Sequence, residues 1–306
     1  MVTTVRAYPC CMQNLAPSAS AAALDWLQPE WPAPARVKAL CTTRSGGVSA
    51  PPYSSLNLGS HVGDASSDVL HNRALLQQTL GVQPVFMDQV HGTQILALGA
   101  HTPDGLPADG ATTTQRGLAC TVMVADCLPI LLCDTAGQRV AAVHAGWRGL
   151  LGTVGAVGAA GSVGTASPSG PVGMAPHVGL HQGVLEQICK HFVPLAPVNA
   201  AQPAIEIIAW LGPCIGPLAF EVGAEVRAAF VAADPQAALC FAPLPQDRWL
   251  ADLPALARQR LHALGVKSVY GNDGSAAWCT VGNPLRYFSH RRDRVSGRQA
   301  ACIWLE

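Results

Sequence analysis

The chain has 306 residues, of which 49% are hydrophobic and only 12% are charged, so it carries enough apolar surface for a large core. Its 19 basic and 19 acidic side chains give a formal net charge of zero, which argues against a nucleic-acid-binding surface. The sequence has no apolar run of about 18 residues or more, so it predicts no membrane span.

Cysteine usage indicates a reducing environment. Several of the eleven cysteines lie inside apolar runs, namely Cys41, Cys120, Cys133 and Cys302. Buried free thiols explain this pattern better than a disulfide framework does. The Ala-rich segment Ala16–Leu24 is interrupted by polar residues and lacks the continuous apolar stretch of a secretory signal. We therefore expect a cytoplasmic protein.

The first third of the chain predicts three strands, one helix and a polar loop. The helix is predicted over Ser67–Leu80, because polar residues precede it and Gly81 follows its end. The other elements are the strands Val37–Thr43, Val85–His91 and Gln94–Leu98, and the polar loop Leu106–Thr114. The second and third strands are predicted to form a hairpin around Gly92.

The segment Val122–Gly149 carries the strongest pattern in the chain. One apolar run ends at Asp126 and Cys127, a second covers Leu128–Cys133, and a third ends at His144 before a glycine-flanked turn. Short apolar runs bounded by turn residues predict buried strands. Residues that follow or end such strands are frequent positions for chemistry in α/β domains.

Composition divides the chain into a main domain and two segments that are expected to be poorly ordered. Residues 1–35, rich in Ala, Pro and Ser, predict a poorly ordered extension to a domain over residues 36–306. Residues 152–183 are almost entirely small and apolar or hydroxyl-bearing, which is typical of a flexible surface insertion. The sequences on its two sides would join into one amphipathic helix.

The C-terminal part predicts further helices and strands. These are the helices Val184–Phe192, Val222–Ala233 and Leu253–Leu264, and the strands Ile205–Leu211, Val266–Tyr270 and Ala300–Leu305. Strands and helices do not alternate strictly, so a doubly wound parallel sheet is not expected. We predict a single α/β (α+β) domain in which mixed sheets are flanked by helices.

His91, Cys127 and His144 are the candidate catalytic centre. Imidazole nitrogen and thiolate sulfur are ligands that zinc prefers, and catalytic zinc sites use three protein ligands with one open position. The chain has no Cys-x-x-Cys pair, which argues against a zinc ribbon or finger. Spacing alone does not bring three distant residues together, and inert packing of a cysteine in an apolar run is the competing interpretation.

Five ordered motifs add a resemblance to a known family. Together they resemble the YfiH-type purine nucleoside phosphorylases, also labelled laccase-domain, multicopper polyphenol oxidase-like or peptidoglycan editing factor-like proteins, over about residues 36–305. The motifs are Cys41-Thr42-Thr43-Arg44-Ser45-Gly46-Gly47-Val48-Ser49, Gln89-Val90-His91-Gly92, Ala125-Asp126-Cys127-Leu128-Pro129, Val143-His144-Ala145-Gly146-Trp147-Arg148-Gly149 and Gly212-Pro213-Cys214-Ile215-Gly216. The resemblance implies a YfiH-type fold, with His91, Cys127 and His144 as zinc ligands. It also implies phosphorolysis of adenosine, inosine, guanosine and methylthioadenosine, and deamination of adenosine.

Phosphorolysis requires groups that hold phosphate. Guanidinium groups and glycine-rich backbone amides do so. Arg44 with the adjacent Ser45, Gly46 and Gly47 fits this role. The other candidates for substrate or phosphate binding are Asn57 and Arg148, with His290 and Arg291 as weaker ones.

Deamination requires a proton carrier, for which Asp126 beside Cys127 is the candidate. The same carboxylate could instead orient a ligand histidine. The sequence lacks the His-x-Glu and Pro-Cys-x-x-Cys signature of cytidine-type deaminases, so any such activity rests on a different scaffold.

Three other functions are alternatives, and the first two of them use His91, Cys127 and His144. A multicopper oxidase needs a separate histidine cluster, and the ten histidines form no His-x-His pair, although one His/Cys/His set can bind copper. Without a metal, Cys127 with His144 or His91 as its base would make a cysteine-dependent amide hydrolase acting on peptidoglycan precursors. A non-catalytic binding module using Trp147 and the glycine-rich insertion is the third alternative. The oligomeric state stays open.

Overall fold

The computed structural model describes residues 24–152, 182–192 and 206–306. The predicted extension 1–35 and insertion 152–183 therefore lie largely outside the described residues. Within that part of the chain, thirteen strands form three sheets. The strands are β1 (Val37–Cys41), β2 (Gln83–Phe86), β3 (Ile95–Ala97), β4 (Gly110–Thr113), β5 (Leu118–Val124), β6 (Leu128–Asp134), β7 (Val140–Ala145), β8 (Ile207–Leu211), β9 (Glu221–Gly223), β10 (Phe241–Leu244), β11 (Arg248–Ala251), β12 (Ser268–Gly271) and β13 (Gln299–Leu305).

The sheets contain both parallel and antiparallel pairs. One has the order β1-β13-β5-β2, a second β12-β8-β6-β7-β4-β3, and a third β10-β11-β9. β2 runs parallel to β5, and β12 parallel to β8, whereas β6 is antiparallel to both of its neighbours. This confirms the predicted mixed α/β fold.

Six α-helices cover the sheets in the described ranges. They are α1 (Ser66–Leu80), α2 (Trp147–Leu151), α3 (Val184–Lys190), α4 (Ala224–Ala233), α5 (Leu253–Ala263) and α6 (His290–Asp293). α1 ends at Gly81, whose φ of 68° is left-handed and suits glycine. α5 begins after Asp252, whose carboxylate accepts the N–H of Ala255. None of these helices is long and apolar enough to cross a membrane.

Alternation along the strands creates a four-layer structure. Leu131 of β6 packs with Cys120 and Val122 of β5 in a core between the four- and six-stranded sheets. The intervening β6 residues face the other way, so that Ile130 belongs to a second core, to which α3, α4 and α5 also contribute residues. The opposite face of β5 packs against Leu76 of α1. Strands covered on both faces read as continuous apolar runs, which is why β5, β6 and β7 are prominent in the sequence.

Three sequence predictions about local structure are wrong. The segments around Gly92 form no hairpin, because β2 pairs with β5 in one sheet and β3 with β4 in the other. The predicted polar loop contains β4, where the hydroxyl of Thr112 is buried and donates to the carbonyl of Val140. The predicted helix Val222–Ala233 starts later, because its first residues belong to β9 in a third sheet that the sequence did not indicate.

The two flanks of the predicted insertion lie in contact. Gly152 follows α2, Gly183 precedes α3, and a side chain at Gly152 would collide with the backbone of Gly183. The insertion itself stays a prediction.

Candidate metal and substrate site

Strand register places two of the predicted ligands side by side. β6 and β7 pair with Leu128 opposite Ala145 and Pro129 opposite His144. Cys127, the residue before β6, therefore lies beside the end of β7. The side chain of Cys127 is partly exposed, whereas His144 is only 3% exposed.

His91 reaches the same point from the loop between β2 and β3. Its φ of 59° is left-handed, and its N–H and that of Gly92 both donate to the carboxylate of Asp109, at 2.9 and 2.6 Å. Asp109 directly precedes β4, which pairs with β7. It is fully buried, and its Oδ1 lies 2.8 Å from Nδ1 of His144. One carboxylate thus fixes the backbone of one predicted ligand and the ring of another.

The donor atoms of the three residues form a possible metal site. Nε2 of His91 lies 3.7 Å from Sγ of Cys127, and one ligand atom from each of His91, Cys127 and His144 lies within 4.8 Å of the others. Zinc bonds of about 2.3 Å to sulfur and 2.0 Å to nitrogen place a tetrahedral sulfur and nitrogen about 3.5 Å apart. In the described ranges these three form the single group of metal-ligating side chains found. Copper accepts the same donors.

Electrostatics favour the thiolate of Cys127. Burial raises the pKa of this thiol, but the adjacent rings of His144 and His91 outweigh burial and lower it below its ordinary value. Burial lowers the pKa of His144, but Cys127 and Asp109 outweigh burial and raise it. Burial likewise raises the pKa of Asp109, while its bonds to His144, Gly92 and His91 bring it below the usual range. The thiolate is the form of cysteine that binds metals and attacks carbonyls.

Gly146 lets the ligands approach one another. A Cβ at this position would lie 3.0 Å from Cδ2 of His91 and 3.1 Å from Sγ of Cys127. The φ of Gly146 is −69°, which any residue adopts. Glycine is therefore needed here for space rather than for backbone conformation.

A cavity of about 360 Å³ contains the three ligands. Part of its wall is apolar, formed by Met123, Trp147, Ile215, Phe220 and Leu253. Another part is basic, formed by His61, His290, Arg291, Arg294 and Arg298. A cavity of this size and mixed lining suits a small molecule that has both a flat apolar part and polar or charged groups.

Asp126 lines the cavity, but both of its carboxylate oxygens already have partners. Oδ1 accepts the hydroxyl hydrogen of Thr280 at 2.6 Å, and Oδ2 accepts the N–H of Arg291 at 2.6 Å. These bonds tie the turn before Cys127 to the start of α6. The role of Asp126 as a proton carrier stays a prediction.

The segment predicted to hold phosphate makes several contacts within the chain. Arg44 donates to two backbone carbonyls and lies over the ring of Phe288, 4.9 Å from its centroid. The N–H groups of Gly46 and Gly47 both donate to the hydroxyl of Ser55 at 3.1 Å. None of these residues lines the cavity beside the three ligands. The structure therefore does not bring this segment to the site.

The other two predicted substrate-binding residues have different positions. Asn57 is fully buried, and its Oδ1 accepts the N–H groups of Gly59 and Arg298, both at 2.9 Å, so it supports the basic wall from behind. Arg148 lies over the ring of Trp147 at 4.4 Å. It lines a second cavity, of about 340 Å³, which shares His91 and Trp147 with the first.

Asp109 and Arg298 are residues of the candidate site that the sequence does not indicate. The Ala-Asp-Gly sequence around Asp109 is typical of a turn, and its role follows from the pairing of β4 with β7. Arg298 precedes β13, and Gln299 pairs with Val124 of β5, so Arg298 lies near the turn that holds Cys127. Neither pairing is visible in the sequence.

Comparison with known proteins places the chain in a family. The family model described as multi-copper polyphenol oxidoreductase laccase matches residues 38–162 and 162–306. The protein named purine nucleoside phosphorylase PA4543 of Pseudomonas aeruginosa is 44% identical over 282 residues, which cover 92% of this chain and 98% of that protein. Purine nucleoside phosphorylase YfiH of Escherichia coli is 42% identical, over 90% of this chain and 97% of that protein.

Solved structures agree. Neisseria meningitidis protein NMB0706 superimposes with a TM-score of 0.75 at 41% identity, over 92% of this chain and 99% of that one. A Bacillus licheniformis protein titled YfiH gives a TM-score of 0.71 at 26% identity, over 88% of this chain and 93% of that one. The chain therefore belongs to the YfiH-type family, which the matching model describes as multi-copper polyphenol oxidoreductase laccase.

Proposed function

We propose that this chain is a zinc-dependent purine nucleoside phosphorylase that acts on adenosine, inosine, guanosine and methylthioadenosine and also deaminates adenosine. The relatives that it matches over nine-tenths of its length are named purine nucleoside phosphorylases. The observation that carries the proposal is the convergence of His91, Cys127 and His144 in a cavity of about 360 Å³.

The cavity suits the two substrates of phosphorolysis. In this reaction a phosphate oxygen bonds to C1′ of the ribose while the bond from C1′ to the purine nitrogen breaks, and the departing purine takes up a proton. The apolar side chains of Phe220, Ile215 and Leu253 offer a surface for the flat base. The arginines of the cavity offer positive charge to phosphate.

His91, Cys127 and His144 would hold the zinc ion, with Asp109 fixing the orientation of His144. When bound, zinc supplies Lewis-acid polarisation of a substrate atom. Ionised Asp109 can only accept hydrogen bonds, so Nδ1 of His144 carries the hydrogen and Nε2 is left to face Cys127 and the metal. Gly146 keeps the ligand side chains close together without a competing methyl group.

A second function is favoured by one specific observation. In space, His144 lies between Cys127 and Asp109. Thiolate, imidazole and carboxylate thus follow one another as in a cysteine hydrolase. Under this alternative Cys127 attacks an amide carbonyl, for example in a peptidoglycan precursor, and His144 donates a proton to the amine as the C–N bond breaks. Water then cleaves the thioester on Cys127, which releases the carboxylic acid and restores the thiol.

Incubation with nucleosides tests the main proposal. Metal-characterised protein is mixed with adenosine, inosine, guanosine or methylthioadenosine, with and without phosphate, and the products are separated by chromatography. The proposal predicts free purine and ribose 1-phosphate, or its methylthio analogue, only when phosphate is present. It also predicts inosine from adenosine in the absence of phosphate. Absence of both products from every nucleoside contradicts it.

Removal of the metal distinguishes the hydrolase from the phosphorylase. If the chelator-treated protein keeps full activity on an amide substrate while alkylation of Cys127 abolishes it, the hydrolase is correct. If nucleoside cleavage disappears with the metal and returns on adding zinc, the phosphorylase is correct.

We also propose that the protein works in the cytoplasm. Nine cysteines lie in the described ranges, and all nine are free. Free thiols fit a reducing compartment.

A further inference from the structure

The basic wall of the cavity carries arginines that form no ion pair with an acidic side chain of the described residues. Arg291, Arg294 and Arg298 form no ion pair with any carboxylate in the parts of the chain that the structure describes. Among the described residues, Asp126 is the one carboxylate that lines this cavity, and its two oxygens are occupied by Thr280 and a backbone N–H. Burial lowers the pKa of Arg298, and the charges of Cys127 and Asp126 offset only part of this effect. Since the whole chain has no net charge, this positive charge is a local feature of the site.

Arg298 is held in place by its surroundings. Its N–H donates to the buried Asn57, and Gly59 leaves room for its side chain, because a Cβ there would lie 2.7 Å from Cγ of Arg298. Its Nη1 donates to the carbonyls of Ser296 and Gly297 at 2.9 and 3.1 Å. No partner in the described residues takes its Nε or Nη2. A guanidinium fixed on one side and open on the other is suited to bidentate binding of an oxyanion.

Arg294 and His61 extend this surface. Arg294 directly follows α6 with a left-handed φ of 62°, and its side chain lines the cavity with no hydrogen-bond partner among the described groups. His61 lines the same cavity, where burial lowers its pKa first, and the charges of Arg298 and Arg73 lower it further against the opposing effect of Asp88. A bound anion would relieve the repulsion among these groups.

We propose that Arg294 and Arg298, with His61 beside them, form a subsite for a phosphate group. This deepens the proposed function, because inorganic phosphate is the attacking substrate of a phosphorylase. The same chemistry would accept the 5′-phosphate of a nucleotide. The two sources are distinguished by testing inorganic phosphate and adenosine 5′-monophosphate separately.

Binding of inorganic phosphate, measured by calorimetry without any nucleoside, tests the subsite directly. The variants are Arg298→Met and Arg294→Met, which keep an aliphatic stem and remove the charge. Arg116→Met is the matched control, because Arg116 is exposed in the turn between β4 and β5, away from the cavity. Each titration is run on the zinc-loaded and the chelator-treated full-length protein, so that binding to the metal is separated from binding to the arginines. Circular dichroism confirms that each variant is folded.

The subsite predicts that each cavity variant weakens phosphate binding about tenfold or more, with or without zinc, while Arg116→Met binds like the wild type. Arg298→Lys is expected to bind phosphate more tightly than Arg298→Met but less tightly than the wild type, because lysine keeps the charge but lacks the two parallel N–H donors of a guanidinium. In phosphorolysis the KM for phosphate should rise while the KM for the nucleoside stays nearly constant. Wild-type phosphate binding by both Met variants overturns the subsite.

The outcomes separate the subsite from the proposed function. If phosphate binding depends on the arginines but no nucleoside is cleaved, the subsite stands and the phosphorylase fails. If nucleosides are cleaved and the variants keep the wild-type KM for phosphate, the phosphorylase stands and the subsite fails. If only adenosine 5′-monophosphate binds, and does so through the arginines, the subsite belongs to a nucleotide and the proposal of an inorganic phosphate subsite fails, whereas the phosphorylase is still judged by cleavage of the nucleosides.

Discussion

Oδ1 of Asp109 lies 2.8 Å from Nδ1 of His144 and also accepts the N–H of His91 at 2.9 Å. A single buried oxygen thus sets the positions of two residues that are 53 positions apart in the chain and that both face Cys127. Partners of this kind fix the ring orientation of a metal-binding histidine and raise its basicity. The proposed metal centre would therefore depend on Asp109, although Asp109 is not one of the three proposed ligands.

Replacement of Asp109 by Asn tests this dependence. An amide retains one acceptor oxygen but replaces the other with a donor, so it cannot accept from all three N–H groups. We expect zinc affinity, measured by chelator competition, to fall about 10- to 100-fold.

The matched control for this change is Asp134→Asn. Asp134 is also buried and also accepts two backbone N–H groups, those of Gln138 and Arg139, but it lies at the other end of β6. We expect it to lower thermal stability without changing zinc affinity. Equal zinc affinity in Asp109→Asn and the wild type would show that Asp109 does not orient the ligands.

Addition of one methyl group at Gly146 is predicted to loosen the site. The new Cβ would lie 3.0 Å from the ring of His91 and 3.1 Å from the sulfur of Cys127, so both side chains must move by a few tenths of an ångström. Gly146→Ala should therefore weaken zinc binding several-fold while the melting temperature changes little, because the backbone conformation suits alanine. Gly99→Ala is the control, since its Cβ would meet nothing closer than 3.8 Å. Identical zinc affinities for the two variants would contradict the prediction.

Thiol labelling should identify the metal-bound cysteine. Among the described cysteines, Cys127, Cys189 and Cys279 are partly exposed and the others are buried. Iodoacetamide followed by peptide mass mapping should modify Cys127 rapidly in chelator-treated protein and slowly in zinc-loaded protein. Labelling of Cys189 and Cys279 should be the same in both samples and serves as the internal control. A Cys127 that reacts equally with and without zinc is not a metal ligand.

Removal of the predicted insertion should leave the site intact. Gly152 and Gly183 lie in contact, so a short Gly-Ser linker in place of residues 153–181 can connect α2 to α3 without moving either helix. Zinc content and the rate of nucleoside cleavage should match those of the full-length chain. Loss of zinc from a folded deletion variant would show that this segment is part of the site.

The sequence predicted those parts of the fold that depend on local pattern. β5, β6 and β7 are buried on both faces, so their apolar runs are unbroken and the positions of Cys127 and His144 at strand ends were visible. The hairpin around Gly92 was a wrong prediction, because Asp109 binds the N–H groups of this turn and β2 pairs with a distant strand.

The sequence predicts the three proposed metal ligands but not the residues that position them or line the basic wall. The three proposed ligands are histidine and cysteine residues, which a sequence shows directly as candidates for metal binding, whereas Asp109 and Arg298 gain their positions from pairings between strands distant in sequence. Arg44 is a candidate for phosphate binding in the sequence because it lies close to Gly46 and Gly47. In the structure the N–H groups of both glycines donate to the hydroxyl of Ser55. Local sequence gives no information about which backbone donors are already occupied.

The metal content of the purified protein tests the central claim most directly. We predict about one zinc per chain by mass spectrometry in the wild type, and less than a tenth of that in a folded Cys127→Ala variant purified in parallel. A wild-type protein that neither contains nor binds zinc, or a Cys127→Ala variant that keeps the wild-type zinc content, would contradict the account.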